Sequence, residues 1–561
     1  MYRRRFLSIA GGFGVAAFVP TLEAADNAEL SADVVVVGGG LGGCAAALGA
    51  LRAGATVLLS EETAWLGGQM TAQAVPPDEN RWIETRGCTK AYRQLREGIR
   101  DVYRQRSDPA LLPAFRGRKE LNPGNGWVSR LCCEPRVALT VLERMLEPHV
   151  ASKQLRILRH WKPTAVDGDG DRVHAVVGRD TRSGNRQTLR GKFILDATEQ
   201  GDLLPLAKAE HVTGAESQAQ TGEPNAMHEA RPHVIQSFTV CFALEYRDGQ
   251  DHTIEKPAEY DFWRGYEPQL TPPYSGKLFS WNYPSNANRK FGFDPVNGRT
   301  PEGPNLWTYR RILDRSLYAP GAVGGDISII NWHQNDYYLG PLIAVAPEEA
   351  AKNLARAKQQ SLSTLYWLQT EAPRSDGKQG WKGLKLRGDL LGSDDGLALY
   401  PYIRESRRIK AEFTVLEQHV GKQLRMKETK LPADKVRAAQ FDDSVGIGHY
   451  TMDLHPRTGG YNGTGYETLP FQIPLGAILP IRMENLLPAC KNLGVTHLTN
   501  GCYRLHPIEW NVGEAAGALA GFCLSRGEVA RRVRSNPALL ADFQKVLLNG
   551  GVELTWPDPL T

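Results

Sequence analysis

Ala32-Asp33-Val34-Val35-Val36-Val37 runs without a break into Gly38-Gly39-Gly40-Leu41-Gly42-Gly43. An unbroken β-branched run has the composition of a strand buried on both faces of a parallel sheet. Gly38, Gly40 and Gly43 then satisfy G-x-G-x-x-G at its end. Cys44 to Ala53 reads as a helix of small residues, stopped by Gly54 at the C′ position. Thr56-Val57-Leu58-Leu59-Ser60 is a second strand, and Glu61 closes it 18 residues beyond Gly43, near the separation of about 20 that a dinucleotide fingerprint requires. Gly38 permits the tight turn, Gly40 lets the backbone approach a pyrophosphate, and Gly43 lets helix and strand close up. The helix N-terminus offers free N–H groups to the phosphates, Leu41 in the glycine turn before it counts among the cofactor residues, and Glu61 accepts from ribose hydroxyls. NAD and FAD sites share this unit. Leu66-Gly67-Gly68-Gln69-Met70-Thr71 adds a glycine pair, Gly67 and Gly68, just past the ribose carboxylate, where a longer cofactor would continue.

Outward from that unit, 561 residues suggest two to four domains. At 41% hydrophobic and 23% charged, the composition fits neither a disordered chain nor a multi-span membrane protein. A net charge of +5, with the charges mixed along the chain, gives nucleic-acid binding little support. Eight cysteines are too sparse for a disulfide framework, show no metal-ligand spacing, and read as buried thiols, the vicinal Cys132-Cys133 included. No metal is expected. The 57 glycines exceed the average share without a Gly-X-Y period.

Three later segments extend the pattern. Phe193-Ile194-Leu195-Asp196-Ala197-Thr198-Glu199-Gln200-Gly201-Asp202 is a strand followed by A-T-x-x-G-D, Tyr402-Ile403-Arg404-Glu405-Ser406-Arg407-Arg408 is Y-x-R-E-S-R-R, and Gly513-Glu514-Ala515-Ala516-Gly517 is a small-residue helix. Together with the first unit they resemble the FAD-dependent oxidoreductase family whose nucleotide domain is of the glutathione-reductase type. The resemblance implies an α/β fold: a discontinuous Rossmann-like FAD-binding domain (30–215 and 471–530), an α+β substrate domain (216–470) and a tail helix (531–561). It implies FAD as cofactor, with Thr198, Asp202, Asn511, Gly513 and Ala515 near it. Glu199 stands where the family carries glycine. A helix N-terminus there would stabilise negative charge on reduced flavin. No second G-x-G-x-x-G follows a strand, so no NAD(P) domain is expected. Electrons are then exchanged with a substrate, oxygen, a quinone or a protein carrier.

The middle of the chain is rich in Trp, Tyr and Asn, including Trp263, Trp281, Trp307 and Trp332. These read mainly as core, with stacking on a sugar or aromatic ring as the alternative. Hydride removal next to oxygen or nitrogen needs a base. His506 precedes the flavin-facing helix by a few residues and is the first candidate, Glu509 the second. His333, in Asn331-Trp332-His333-Gln334-Asn335-Asp336-Tyr337, is the third, because so many donors and acceptors are costly to bury without a ligand or network. Arg404 with Glu405 reads as an ion pair, or Arg404 as the partner of a substrate carboxylate.

The first residues read as an address. Arg3-Arg4-Arg5-Phe6-Leu7 precedes an apolar run, Ile9 to Val19, too short to span a bilayer but suited to a signal peptide (1–25) of the twin-arginine kind, with a general secretory signal as the alternative. The expectation is a flavoenzyme that dehydrogenates a small polar alcohol, sugar or amine, exported to the periplasm or medium through the twin-arginine translocon. A reductase of the fumarate-reductase kind and a non-catalytic carbohydrate-binding protein are the rivals.

Overall fold

A computed structural model describes residues 28–557. The address segment, 1–25, lies outside the described residues. Strands β1 (Ala28–Val37), β2 (Val57–Glu61), β3 (Leu155–Arg159), β4 (Trp161–Asp169), β5 (Arg172–Asp180), β6 (Arg186–Asp196) and β7 (Leu486–Pro488) form one sheet. Its parallel part runs β3-β2-β1-β6-β7. β1 pairs with β6 along its whole length, from Ala28 opposite Gln187 to Val37 opposite Asp196. The other edge of β6 is shared: Arg186–Arg190 pairs antiparallel with β5, and Ile194–Asp196 pairs parallel with β7. β7 lies about 290 residues further on, so the sheet closes only when the distant segment returns, as the discontinuous nucleotide domain requires.

Helix α1 (Leu41–Arg52) follows the glycine turn, and helix α2 (His506–Arg526) packs on it. Glycine decides how closely. A Cβ on Gly513 would lie 1.9 Å from the Gly42 carbonyl oxygen, one on Gly517 1.9 Å from that of Ala46, and one on Gly42 2.0 Å from that of Ala489. The two helices therefore meet backbone to backbone. Gly38 (φ +102°) makes the turn, and a Cβ on Gly43 would strike the Gly38 carbonyl oxygen at 1.8 Å.

A second core runs from Phe238 to Ile403 and is built of aromatics, Trp263, Trp307, Trp332, Trp367 and Trp381 among them. It belongs to a four-stranded antiparallel sheet, Arg311–Leu313, Ile327–Ile330, Phe242–Tyr246 and Leu384–Leu386 in that order, and to helix Pro347–Thr370. The core reading of Trp263, Trp307 and Trp332 agrees with their burial. Within the expected 216–470 insert, Val415, Val420, Val445 and Leu469 instead pack in the first core with Val34 and Leu41. The pair of strands Ser444–Gly448 and Phe471–Pro474 is held there because the Asn511 side chain of α2 donates to the Val445 carbonyl at 3.1 Å. The tail is not one helix over 531–561. It breaks into Ala530–Ser535 and Pro537–Asn549, because Asn536 caps Ala538 and Leu539 while Pro537 cannot continue the ladder. No helix among the described residues is long and apolar enough to cross a membrane.

Candidate active site

The carboxyl ends of β1, β2 and β6 border a cleft lined by Gly38, Gly40, Glu61, Gly68, Thr198 and Asp202. Six residues expected at the cofactor thus meet at one place, where a doubly wound sheet binds its ligand. The Glu61 side chain is held in place at both oxygens. One accepts from Gly39 N–H at 3.0 Å, and the other accepts from Thr63 N–H and hydroxyl at 2.8 and 2.7 Å. Burial pushes its carboxyl up to about 7. Thr198 caps onto Asp196, and Asp202 pairs with Arg407 at 3.1 Å.

The other six expected residues do not line this cleft, and each has a packing reason. Leu41 and Ala515 belong to the core. Gly43 clears the Gly38 carbonyl, Gly67 (φ +103°) makes room for Leu142, Gly513 admits α1, and Asn511 faces the strand pair.

The N-terminus of α1 already carries anions. Gly42 N–H donates to Glu509 at 3.2 Å, and Lys491 joins Glu509 (3.3 Å) to Glu199. Gln69 donates its amide to Glu509. These groups are buried and fill the space in front of the helix. Burial opposes the charge on Lys491, but Cys490, Glu199 and Glu509 outweigh it and hold the amine well above its usual value. Burial raises Glu199. Glu199, Gln69 and Gln73 each keep one buried polar atom without a partner, and a Cβ on Gly40 or Gly68 would meet Glu199 at 2.9 and 2.5 Å. Glu61, fixed at the end of β2, is positioned for a ribose and the cleft beside it fits the adenosine part of FAD, while the α1 N-terminus and the backbone of Gly40 and Gly68 face Glu509 and Glu199, which must give way before a pyrophosphate reaches them.

Beyond this cleft lies a second cavity of about 250 Å³. The two share a wall: Gln73 and Tyr400 line the first, Asp78 and Tyr402 line the second, and Gln69 between them donates to the Arg504 carbonyl at 2.9 Å. Arg310, Arg404, Arg504, His333 and His455 line the second cavity. Arg310 pairs with Asp78 (3.3 Å), Arg504 with Asp453 (3.5 Å) and Arg404 with Asp336 (2.9 Å). Arg404 therefore does not pair with its neighbour Glu405, which binds Arg408 and His497 instead, because adjacent residues of extended chain point to opposite sides.

His455 sits between two carboxylates, Nδ1 at 2.6 Å from Asp336 and Nε2 at 3.3 Å from Asp453. Burial and Arg404 push its imidazole down, but Asp336 and Asp453 outweigh them and hold it above the usual histidine value. Burial alone would raise Asp336, yet Arg404 and His455 hold it far below the carboxylate range. His333 differs. Burial pushes it down to about 4, and its Nδ1 has no partner within hydrogen-bond reach, Asp336 lying 4.0 Å away. His333, Asp336 and His455 bring donor atoms within 4.8 Å of one another, with Arg404 already supplying positive charge to that carboxylate.

His506 and Glu509 are elsewhere. His506 Nδ1 accepts from Asp78 N–H at 3.1 Å, so its Nε2–H donates to the Val75 carbonyl at 3.2 Å, and burial pushes it down to about 4. With both nitrogens engaged by backbone it fastens the 75–78 loop, and the acid–base role expected of it is not supported. Glu509 belongs to the α1 cluster, not to the second cavity. Sequence reasoning missed Arg310, Asp78, Asp453 and His455, which lie in no motif. The density of polar groups around Asn331–Tyr337 was the one signal for His333 and Asp336.

A cleft at the carboxyl end of a parallel sheet, behind a strand–glycine-turn–helix unit and next to a polar cavity holding imidazole and guanidinium groups, is the arrangement of a dinucleotide-binding α/β protein. The family model described as FAD dependent oxidoreductase matches residues 33–547, and the chain belongs to that family. FAD is its cofactor. A search of curated proteins finds no match to the sequence. Among solved structures it is similar to a glycerol-3-phosphate dehydrogenase from Bacillus halodurans complexed with FAD (16% identity, TM-score 0.23, covering 38% of this chain and 40% of that one). It is also similar to a myxobacterial FAD-dependent chondrochloren halogenase (21%, 0.21, 39% and 45%) and to an L-proline dehydrogenase from P. horikoshii (16%, 0.17, 33% and 24%). The chain thus spans less than half the length of each of these.

Proposed function

We propose that the protein dehydrogenates a small polar organic molecule, an alcohol, sugar or amine, in the second cavity. The observation that carries this reading is the shared wall: a cavity with His333, His455 and the arginines lies directly behind the residues that border the cofactor cleft. Bound FAD supplies the two-electron acceptor there. The chain's own residues handle the proton. His333, whose Nδ1 has no partner, takes it from the reacting hydroxyl or amine, and Asp336, 4.0 Å from that same nitrogen, stabilises the imidazolium that results. His455, with both nitrogens engaged by carboxylates, holds Asp336 and Asp453 in place beside it. Oxygen, a quinone or a protein carrier then removes the electrons. We further propose export to the periplasm or medium by the twin-arginine route, supported by Arg3-Arg4 and the apolar run after them.

Purified protein from the cytoplasm is expected to show a flavin band near about 450 nm. That band is expected to bleach anaerobically with the right member of a panel of alcohols, sugars and amines. Re-oxidation of reduced protein by unsaturated dicarboxylates, with no bleaching by any reduced substrate, would favour the fumarate-reductase reading. Exchange of Arg3-Arg4 for Lys-Lys is expected to retain the protein inside the cell. Unchanged secretion would point to the general secretory route.

A further inference from the structure

The unpartnered polar atoms around the second cavity are nitrogens. Among its lining side chains, Nε of Arg310, Arg404 and Arg504, Nδ2 of Asn331, Nε1 of Trp332 and Nδ1 of His333 are buried with no hydrogen-bond partner, while no lining oxygen is in that state. The first five are obligate N–H donors. Buried donors without partners are costly. A ligand that satisfies them must be rich in acceptors.

Charge narrows the choice further. Arg310, Arg404 and Arg504 are matched one for one by Asp78, Asp336 and Asp453, all in contact with them. His455 adds a proton to the balance, held by Asp336 and Asp453. With each arginine matched, the surplus is at most the one proton that Asp336 and Asp453 hold on His455, which suits a monoanion better than a dianion. Three guanidinium groups around one cavity, each with an Nε–H still without a partner, favour a planar carboxylate acceptor.

Size and shape narrow it again. A cavity of about 250 Å³ has room for a small molecule. The rim is aromatic: Trp127, 52% exposed, lies against Tyr309 with ring centroids 4.3 Å apart, and Tyr283 stacks on Phe291 at 3.9 Å. Flat apolar walls over a polar floor suit a carbon skeleton bearing hydroxyls.

Resting on the oxidoreductase reading of the same cavity, we propose that the substrate is a hydroxylated monocarboxylate of about a dozen heavy atoms or fewer, its carboxylate held among Arg310, Arg404 and Arg504. The acid also serves the chemistry. A carboxylate beside His333 offsets the desolvation that depresses this imidazole and makes it a better proton acceptor.

Equilibrium binding tests this without turnover. FAD-loaded full-length protein is titrated calorimetrically with glucuronate, gluconate and lactate, and in parallel with glucuronamide, lactamide and inorganic phosphate. The expected result is at least tenfold tighter binding of one acid than of its neutral counterpart and of phosphate. That preference should fall at least tenfold in Arg504→Gln and partly return in Arg504→Lys. Should Arg504→Gln not fold, the acid-against-amide ratio in the parent protein decides alone. Equal binding of acid and amide, tighter binding of phosphate, or no binding of any probe at millimolar concentration overturns the proposal. Failure of the oxidoreductase reading shows separately, as an acid that binds without bleaching the flavin band.

Discussion

Replacing Gly513 by Ala tests the backbone contact on which both halves of the nucleotide site depend. The new Cβ would lie 1.9 Å from the Gly42 carbonyl oxygen and 2.6 and 2.7 Å from its carbonyl carbon and Cα. All three are backbone atoms of the first turn of α1, so no side chain can rotate away. Ordinary contact begins near 3.4 Å, and α2 must therefore retreat by about 1.5 Å, a strain of about 3 kcal/mol by the usual cost of overpacking. Alanine returns about 1 kcal/mol of helix propensity, leaving a net loss of about 2 kcal/mol. That is a fall in Tm of a few degrees in a chain of this size. The retreat also carries Glu509 away from Gly42 N–H, so FAD content should drop with it. The control is Gly117→Ala, where nothing lies within 4 Å and φ is −83°. Thermal unfolding and the flavin-to-protein ratio are read for both. A Gly513→Ala protein with the parent Tm and full flavin would refute the close-packing account of α1 and α2.

Lys491→Met strands two buried carboxylates, Glu199 and Glu509, and is expected to cost about 3–5 kcal/mol. Lys491→Met with Glu199→Gln should recover part of that loss, and strict additivity of the two changes in Tm would disprove the coupling. Burial holds His506 near about 4, whereas an unfolded histidine titrates near about 6.5. Below about 6.5 the unfolded chain therefore binds a proton that the folded one refuses. Stability contributed by the neutral imidazole is complete above that pH and is lost as pH falls toward about 4, by up to about 3 kcal/mol. His506→Asn should flatten Tm between about pH 6.5 and about pH 4 while leaving the pH profile of flavin bleaching in place. A shifted bleaching profile would restore His506 to the chemistry. His333→Asn is expected to slow anaerobic bleaching by about 10²-fold or more with flavin retained, and an unchanged rate would remove it from the proton-accepting role.

Much of the nucleotide half was legible in the chain because its constraints are local. A strand, a glycine turn and a small-residue helix specify themselves within a short stretch, and Gly38, Gly40 and Glu61 meet where their spacing says they should. Gly513 and Gly517 read as part of a small-residue helix lying against the cofactor, not against another helix. Only the packed structure shows that they face the α1 backbone. His506 misled because proximity to α2 along the chain says nothing of which way a ring turns.

Read alone, the sequence determined the first strand, turn and helix of the parallel sheet, since these follow from runs of neighbouring residues, whereas FAD and a discontinuous nucleotide domain were implied by the family resemblance. Tertiary structure alone decided the second cavity. Asp78, Arg310, His333, Arg404, His455 and Arg504 come from widely separated stretches, and their charges acquire meaning only when burial strips away water and leaves each arginine to one carboxylate. That pairing is a property of distance in space, which spacing along the chain does not encode.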